Sequence, residues 1–253
     1  DYTEIAESEI QSANVDVSKC KNCTLEELAI IKEISMNPEL TTILSQNPRY
    51  AAAYHEFLEA YKNGYGKNST EEELEEFERF FTRDFLNGIK KDSNEREELI
   101  AGERLVIRRA RIADADFMQS VELDADNSPW VANWSLGWRI TKLGDEDFLQ
   151  TVIEKMDGTP IGILIFRGMR TIQDKLELKR IALIEKGKGY GKEAIYLAQR
   201  LAFDVFGTPY LYLGTKDTNT RAQSIYRATG FIPDMPDPCT AFHITVEAYR
   251  EKK

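Results

Sequence analysis

A glycine-rich turn between a strand-like run and an amphipathic helix is the feature that most constrains this chain. Residues 176–184 read LELKRIALI, which is typical of a buried strand, and the turn after them contains Gly187, Gly189 and Gly191. From Lys192 to Phe206 apolar residues recur at helical spacing, which predicts a helix with one face on a sheet. Because glycines let backbone N–H groups approach a ligand and helix N-termini attract anions, the segment predicts a phosphate-binding turn.

A second motif lies about 25 residues downstream and reads NTRAQSIYRATGF, from Asn219 to Phe231. Together the two segments resemble the acyl-CoA-binding core of the GCN5-related N-acetyltransferase (GNAT) superfamily. The family patterns are Gln/Arg-x-x-Gly-x-Gly/Ala and N-x-R-A-x-x-x-Y-x-x-x-G-F, and Lys186 stands at the Gln/Arg position. The resemblance covers residues about 104–250 and is closest to the branch of ribosomal-protein N-terminal and polyamine acetyltransferases.

The remaining patterns predict an α/β fold, with a mixed central sheet flanked by helices and preceded by a small all-helical region. We expect two domains, a helical region at 1–100 and the GNAT-like domain at 101–253. Over the second domain the predicted order is β-α-α-β-β-β-α-β-α-β, with a helix at 144–156 and a hairpin turn at Asp157-Gly158. Residues 241–249 are predicted as the last strand, and Ser69 to Glu72 as a capping box that opens a helix.

The resemblance implies acetyl-CoA as co-substrate. It implies that the backbone of Ile181, Ala182 and Leu183 pairs with the pantetheine arm, and that the turn holds the pyrophosphate through Lys186, Gly187, Lys188, Gly189, Tyr190, Gly191 and Lys192. Asn219 has two interpretations: a helix N-cap alone, or a cap that also contacts the cofactor arm.

The resemblance also implies an N-acetyltransferase that moves the acetyl group to a primary amine by direct attack. Tyr226 matches the tyrosine that protonates the leaving thiolate, although a tyrosine packed at a helix edge is the alternative. The position often occupied by a carboxylate base, twelve residues before this tyrosine, is Gly214. Glu177 is the next candidate base and Asp217 a poorer one, while a solvated strand charge is the alternative for Glu177.

The acceptor amine is expected near the aromatic segment that contains Trp130 and Trp134, with Trp138 beside them. Tryptophans at a four-residue spacing also pack helix faces, so this assignment has a structural alternative. The acceptor is either a small-molecule amine or a protein or peptide N-terminus. Two alternatives stay open for the function: an acyl-CoA-binding regulatory or interaction protein without turnover, and a transferase that uses a longer acyl-CoA.

The charge and the apolar content of the sequence limit the kinds of partner that we expect. The net charge is −10, and residues 1–100 carry 22 Asp and Glu against 11 Lys and Arg, so we expect no nucleic-acid partner there. No apolar run is long enough for a spanning helix, so no membrane association is expected. The helical residues 1–100 are candidates for a homodimer or protein contact.

The cysteine content favours a reducing compartment. Three Cys are too few for a disulfide framework, and we expect a cytoplasmic protein. Cys20 and Cys23, pooled with Cys239 and His243, have spacing that zinc accepts, and a redox pair or ordinary thiols are the alternatives. Ordinary thiols are the prediction, with no bound metal.

Overall fold

The computed structural model describes residues 37–92, 95–234 and 239–252. The chain divides into two compact units between Glu78 and Arg79. The predicted boundary at residue 100 therefore remains a prediction. The sequence also predicts a capping box at Thr24 to Glu27, and this segment and the pair Cys20 and Cys23 lie outside the described residues.

Two helices are described in the first unit, α1 (Pro38–Gln46) and α2 (Pro48–Asn63). Each begins with a proline that follows an asparagine cap: Asn37 Oδ1 accepts the Leu40 N–H at 3.1 Å and Asn47 Oδ1 accepts the Tyr50 N–H at 3.3 Å. Their buried faces contain Leu40, Leu44, Ala53, Tyr54 and Leu58. The two prolines thus start helices, as the sequence predicts.

A long helix, α3 (Glu71–Lys91), runs across the boundary between the units. Its start is a capping box one residue later than predicted. The Glu73 carboxylate accepts the Thr70 N–H at 2.8 Å, and Thr70 Oγ1 accepts the Glu73 N–H at 3.3 Å. The correction arises because Ser69, Thr70 and three consecutive glutamates offer two registers for the same motif.

The second unit is built on a mixed sheet flanked by helices, which confirms the predicted fold class. In chain order its elements are β1 (Glu98–Ala101), β2 (Leu105–Arg109), α4 (Ala115–Leu123), α5 (Leu136–Gly144), β3 (Phe148–Lys155), β4 (Pro160–Arg167), β5 (Leu176–Leu183), α6 (Tyr190–Arg200), β6 (Tyr210–Lys216), α7 (Thr220–Ala228), β7 (Ile232–Pro233), β8 (Cys239–Thr245) and α8 (Val246–Arg250). The strand order among the described residues is β1-β2-β3-β4-β5-β6-β8-β7, and β5 and β6 run parallel.

The two faces of the sheet bury different side chains. One face packs on α6 and holds the larger core, which includes Leu105, Ile153, Phe166, Leu201 and Phe242. The other face packs on α4 through Met118, Val121, Val152, Ile163 and Ala182.

Two predicted elements are wrong. Residues 148–155 form strand β3 and not part of a helix at 144–156, because Thr151, Val152 and Ile153 are β-branched and buried between strands on both sides. The final strand ends at Thr245, whose side chain accepts the Ala248 N–H at 3.3 Å and caps α8. The hairpin turn at Asp157-Gly158 is confirmed, with Gly158 at φ +84°.

Candidate functional site

A splay between β5 and β6 creates a cleft beside the glycine turn. The two parallel strands pair only at Leu176 with Leu211 and at Glu177 with Tyr212, and then separate. On its other side β5 stays paired with β4, apart from a β-bulge at Lys179. Beyond Glu177, therefore, the edge of β5 that faces β6 has no strand partner within the described part of the chain, and the separation opens a cleft of about 540 Å³.

The cleft brings together most of the residues that the sequence singled out. It is lined by Ile181, Ala182, Leu183, Lys186, Gly187, Gly189, Tyr190, Gly191, Lys192, Asn219 and Tyr226, and also by Trp130. Of the predicted set, Lys188, Trp134 and Glu177 are not among the described residues that line it. Two segments separated by about 25 residues in sequence thus line one cleft.

The glycine turn has the backbone conformation that anion binding needs. Gly187 and Gly189 have φ of +76° and +81°, in the left-handed region, and Gly189 is the N-cap of α6. The first N–H groups of α6 therefore face away from the helix without intrahelical acceptors. Lys186 and Lys192 line the same end of the cleft. Backbone donors, a helix dipole and two cations fit the pyrophosphate of CoA.

Arg104 and Glu193 hold this turn from outside. Glu193, in the first turn of α6, accepts the backbone N–H of Arg104 at 2.7 Å and its Nε at 2.8 Å. Arg104 Nη1 donates to the carbonyl oxygen of Lys188 at 2.9 Å, and its guanidinium lies 4.9 Å from the Tyr190 ring centroid. These contacts fix the turn to the start of β2.

Lys186 interacts with the segment after α4. Its ammonium donates to the side chain of Asn127 and to the Leu183 carbonyl oxygen, and lies 4.0 Å from Asp124. Asn127 Nδ2 also donates to Leu183 O at 3.0 Å. Burial lowers the pKa of Lys186, against the opposing effect of Asp124. Asn127 lines the cleft and was missed from the sequence, where it is one polar residue of an exposed-looking turn.

Tyr226 lies on α7, with its ring 5.7 Å from that of Phe242 and 6.0 Å from that of Phe231. Burial raises the pKa of Tyr226 to about 12, so the hydroxyl is protonated at neutral pH. At the start of the same helix Asn219 Oδ1 accepts the Ala222 N–H at 3.1 Å. Asn219 is therefore a helix cap, and it also lines the cleft.

Glu177 is buried at the last β5–β6 pair, on the closed side of the splay. Its carboxylate lies 2.6 Å from Arg167 Nε and 3.5 Å from Lys179 Nζ. The two cations offset its charge, while its buried Oε2 makes no hydrogen bond among the described residues. The structure thus places this predicted base at the apex, in contact with two cations.

Trp130 is 39% exposed and lines the cleft, whereas Trp134 packs farther inside. The Trp134 ring lies 4.4 Å from the Arg180 guanidinium and 6.1 Å from the Trp138 ring. Its backbone N–H donates to Glu122 at 2.8 Å. Trp134 therefore packs against residues behind the cleft and is not among the described residues that line it.

Glu122 lies at the centre of this group of side chains behind the cleft. It is fully buried on α4 and pairs with Arg139 of α5 and Arg180 of β5. Burial lowers the pKa of both arginines, against the opposing effect of Glu122. The cluster ties α4, α5 and the bulged part of β5 together.

Residues 104–232 match the sequence profile of the family described as an acetyltransferase (GNAT) domain, which spans more than half of the chain. The chain belongs to the GNAT family. This confirms the family that the two motifs predict. As a GNAT member, the protein is an acetyl-CoA-dependent acyltransferase with acetyl-CoA as its co-substrate.

Solved structures share the fold of this GNAT protein at low sequence identity. A spermidine N-acetyltransferase from Vibrio cholerae in complex with CoA and spermine is 17% identical, with a TM-score of 0.51, covering 58% of this chain and 98% of that chain. A GNAT acetyltransferase from Bacillus anthracis is 15% identical, with a TM-score of 0.50 and the same coverage of each chain. At these identities the likeness shows the fold alone. No curated protein sequence matches this chain.

No group of three or more His, Cys, Asp and Glu side chains is arranged to hold a metal ion within 37–92, 95–234 and 239–252. In the same residues no helix is both long and apolar enough to cross a membrane.

Proposed function

We propose that this GNAT protein transfers the acetyl group of acetyl-CoA to the primary amine of a small molecule or a peptide N-terminus. The observation that carries the proposal is the splay of β5 from β6, which opens beside Tyr226 and leads to the glycine turn. The N–H groups at the glycine end of the cleft can bind the pyrophosphate of acetyl-CoA, and the protonated Tyr226 hydroxyl at the other end can meet its thioester.

Different segments of the chain bind the different parts of CoA. The N–H groups of residues 187–191 bind the pyrophosphate, and Lys186 and Lys192 supply positive charge. Ile181, Ala182 and Leu183 present a strand edge to the amide groups of pantetheine, because β6 has already separated from them. Asn219 contributes its side chain at the start of α7.

At the apex, backbone N–H groups near the bulge in β5 stabilise the oxyanion that forms when the amine attacks the thioester. Tyr226 donates a hydrogen bond to the sulfur as the C–S bond breaks. Because a pKa of about 12 exceeds the value of about 8.5 of an ordinary thiol, Tyr226 gives up its proton only as it receives another. Its role is therefore that of a relay for the proton that the amine loses.

Release of CoA thiol from acetyl-CoA, measured across a panel of amines, tests the proposal. The panel contains polyamines, amino acids, aralkylamines and peptides with free N-termini. We expect release that depends on at least one amine and yields its N-acetyl derivative by mass spectrometry. Binding of acetyl-CoA without release for any amine would contradict transfer and support the alternative of a regulatory acyl-CoA-binding protein.

A transferase for a longer acyl chain is the second candidate function. A Cβ added at Gly214 would meet no atom within 4 Å, so the space beside β6 is open at the apex. Comparing kcat/KM for acetyl-CoA, butyryl-CoA and octanoyl-CoA with one accepted amine separates the two candidates. A preference for octanoyl-CoA would contradict acetyl transfer as the main activity.

A further inference from the structure

Two cations, Lys179 and Arg180, line the cleft at the β5 bulge. The acidic residues that line the cleft, among those described, are Asp126 and Glu185. Both lie near the glycine turn, because Glu185 directly precedes Lys186 and the charge of Asp126 opposes the lowering of the Lys186 pKa by burial. The acceptor end of the cleft, which is lined by residues 178–182, therefore has two cations and no acidic lining residue within the described part of the chain.

Arg180 shares its carboxylate partner with a second arginine. Its guanidinium and that of Arg139 both donate to Glu122, which is fully buried. Burial lowers the pKa of Arg180; Glu122 opposes this effect, and the charge of Arg139 adds to it. Nε and Nη1 of Arg139 are buried without a hydrogen-bond partner among the described residues. One carboxylate thus faces two guanidinium groups, and the three side chains together keep one positive charge.

A second carboxylate on this side of the cleft is shared in the same way. Glu177 lies 2.6 Å from Arg167 Nε and 3.5 Å from Lys179 Nζ. Because Arg167 is the nearer cation, it offsets most of the Glu177 charge, and the side chain of Lys179 remains 37% exposed. The carboxylates of Glu177 and Glu122 together face four cations, which leaves two positive charges in excess. Of the four cations, Lys179 and Arg180 line the cleft.

The excess charge lies close to the N–H groups proposed to bind the oxyanion. Lys179 is the extra residue of the bulge, and Arg180 pairs with Ile165 directly after it. Because one strand residue spans about 3.3 Å, both cations begin within a few ångströms of those N–H groups. The Arg180 guanidinium is held by Glu122 and by the Trp134 ring, whose centroid lies 4.4 Å away. A guanidinium in a fixed position binds a carboxylate through paired N–H donors, so the acceptor end suits a carboxylate a few bonds from the attacking amine.

We propose that the acceptor is a primary amine that carries a carboxylate, and that Arg180 and Lys179 bind this carboxylate. This inference rests on the proposed acetyl transfer and names the substrate class of the same site. An acceptor with several amines adds positive charge where an excess already exists, so the acceptor end disfavours it. The carboxylate belongs either to a free amino acid or to an acidic side chain at the first position of a peptide, and the experiment distinguishes these two sources.

The test measures thiol release from acetyl-CoA with pairs of amines that differ only in the carboxylate. One arm compares free amino acids with their carboxamides. The other compares peptides that begin with aspartate or glutamate with the same peptides that begin with asparagine or glutamine. We expect kcat/KM to be about tenfold higher, or more, for the carboxylate member of the pairs in one arm. Equal values within the pairs, or transfer confined to polyamines and other amines without a carboxylate, would overturn this inference and leave acetyl transfer intact.

Substitutions at the two cations locate the recognition. The readout is the ratio of kcat/KM for the carboxylate member of a pair to that for the carboxamide member, which does not depend on the folded fraction of the sample. We expect Lys179→Gln to lower this ratio about threefold and Arg180→Gln to lower it about tenfold, whereas Arg180→Lys retains part of it. Lys179 is partly exposed, so its replacement keeps the fold even where the buried Arg180 tolerates no change. A wild-type ratio in Lys179→Gln and in every folded Arg180 variant would overturn the assignment.

Arg170→Gln is the matched control. The Arg170 side chain is 55% exposed, lies 3.1 Å from Asp145 and is not among the described residues that line the cleft. We expect the wild-type ratio in this variant. A ratio as low as that of Lys179→Gln would show that the overall charge of the protein sets the preference, and would overturn the assignment. Absence of thiol release by wild type with every amine would overturn both proposals.

Discussion

Arg104 and Glu193 are 89 positions apart in sequence, yet the carboxylate of Glu193 accepts both the backbone N–H and the Nε of Arg104. The pair joins the start of β2 to the first turn of α6. It neutralises a carboxylate within one turn of the N–H groups proposed to bind pyrophosphate. Arg104 also holds the Lys188 carbonyl at 2.9 Å, which fixes the turn itself.

The pair predicts an unusual double-mutant result. Arg104→Ala frees the turn and leaves the Glu193 charge unpaired near the pyrophosphate, so we expect the calorimetric Kd for CoA to rise about 10- to 100-fold. Adding Glu193→Gln removes that charge and recovers part of the loss. If Arg104 bound phosphate directly, the second change would recover nothing.

Arg109→Ala is the control for that experiment. Arg109 is the last residue of β2, the strand that follows Arg104, pairs with Glu97 at 2.6 Å and has a similarly exposed side chain, 47% against 45% for Arg104. We expect no change in its Kd for CoA. A similar loss in this variant would show that general destabilisation of β2 explains the effect.

Tyr226→Phe tests the proposed relay. Phenylalanine keeps the packing on Phe231 and Phe242 and removes the hydroxyl. We expect kcat to fall about 100-fold while the Kd for acetyl-CoA changes little, because the hydrogen bond forms to sulfur only as the C–S bond breaks. Equal losses in kcat and binding would instead indicate that Tyr226 only shapes the cleft.

Gly214→Glu tests whether a carboxylate on the open face of β6 can act as a base in acetyl transfer. A Cβ at this position meets no described atom within 4 Å, and Gly214 is not among the glycines with positive φ. We expect the change to raise kcat/KM for an accepted amine about tenfold at neutral pH, because the added carboxylate can take a proton from the ammonium. An unchanged kcat/KM, with the fold intact by circular dichroism, would contradict an acceptor amine that reacts beside this face.

Asp114 predicts acid-dependent stability. Burial raises the pKa of this carboxyl, but hydrogen bonds from Arg108 and the Arg111 N–H outweigh that effect, so the folded pKa is lowered. A lowered folded pKa gives stability that is present above the unfolded value of about 3.9 and lost as pH falls below it. The difference in unfolding free energy between wild type and Asp114→Asn should therefore shrink from pH 5 to pH 3. A constant difference would contradict the ion pair with Arg108.

Local sequence patterns predicted the parts of the fold that depend on local chemistry. The glycine turn, α6, α7 and the Asp157-Gly158 hairpin follow from residues close in sequence. The sequence predicts a helix over residues 148–155 because their apolar residues fit a helical repeat as well as the two-residue repeat of a strand. Only the pairing of this segment with both β2 and β4 shows that it is a strand.

The site contacts missed from the sequence are long-range. Asn127 meets Leu183 across 56 positions, and Glu122 meets Arg180 across 58. No local pattern encodes these distances.

Calorimetric titration of the protein with acetyl-CoA, followed by thiol release with the amine panel, determines whether the cleft between β5 and β6 binds the co-substrate and turns it over. We expect saturable binding at the turn formed by residues 186–192, weakened by Arg104→Ala, and release of CoA only when an amine is present. Absence of binding by acetyl-CoA and CoA would contradict the assignment of the cleft between β5 and β6.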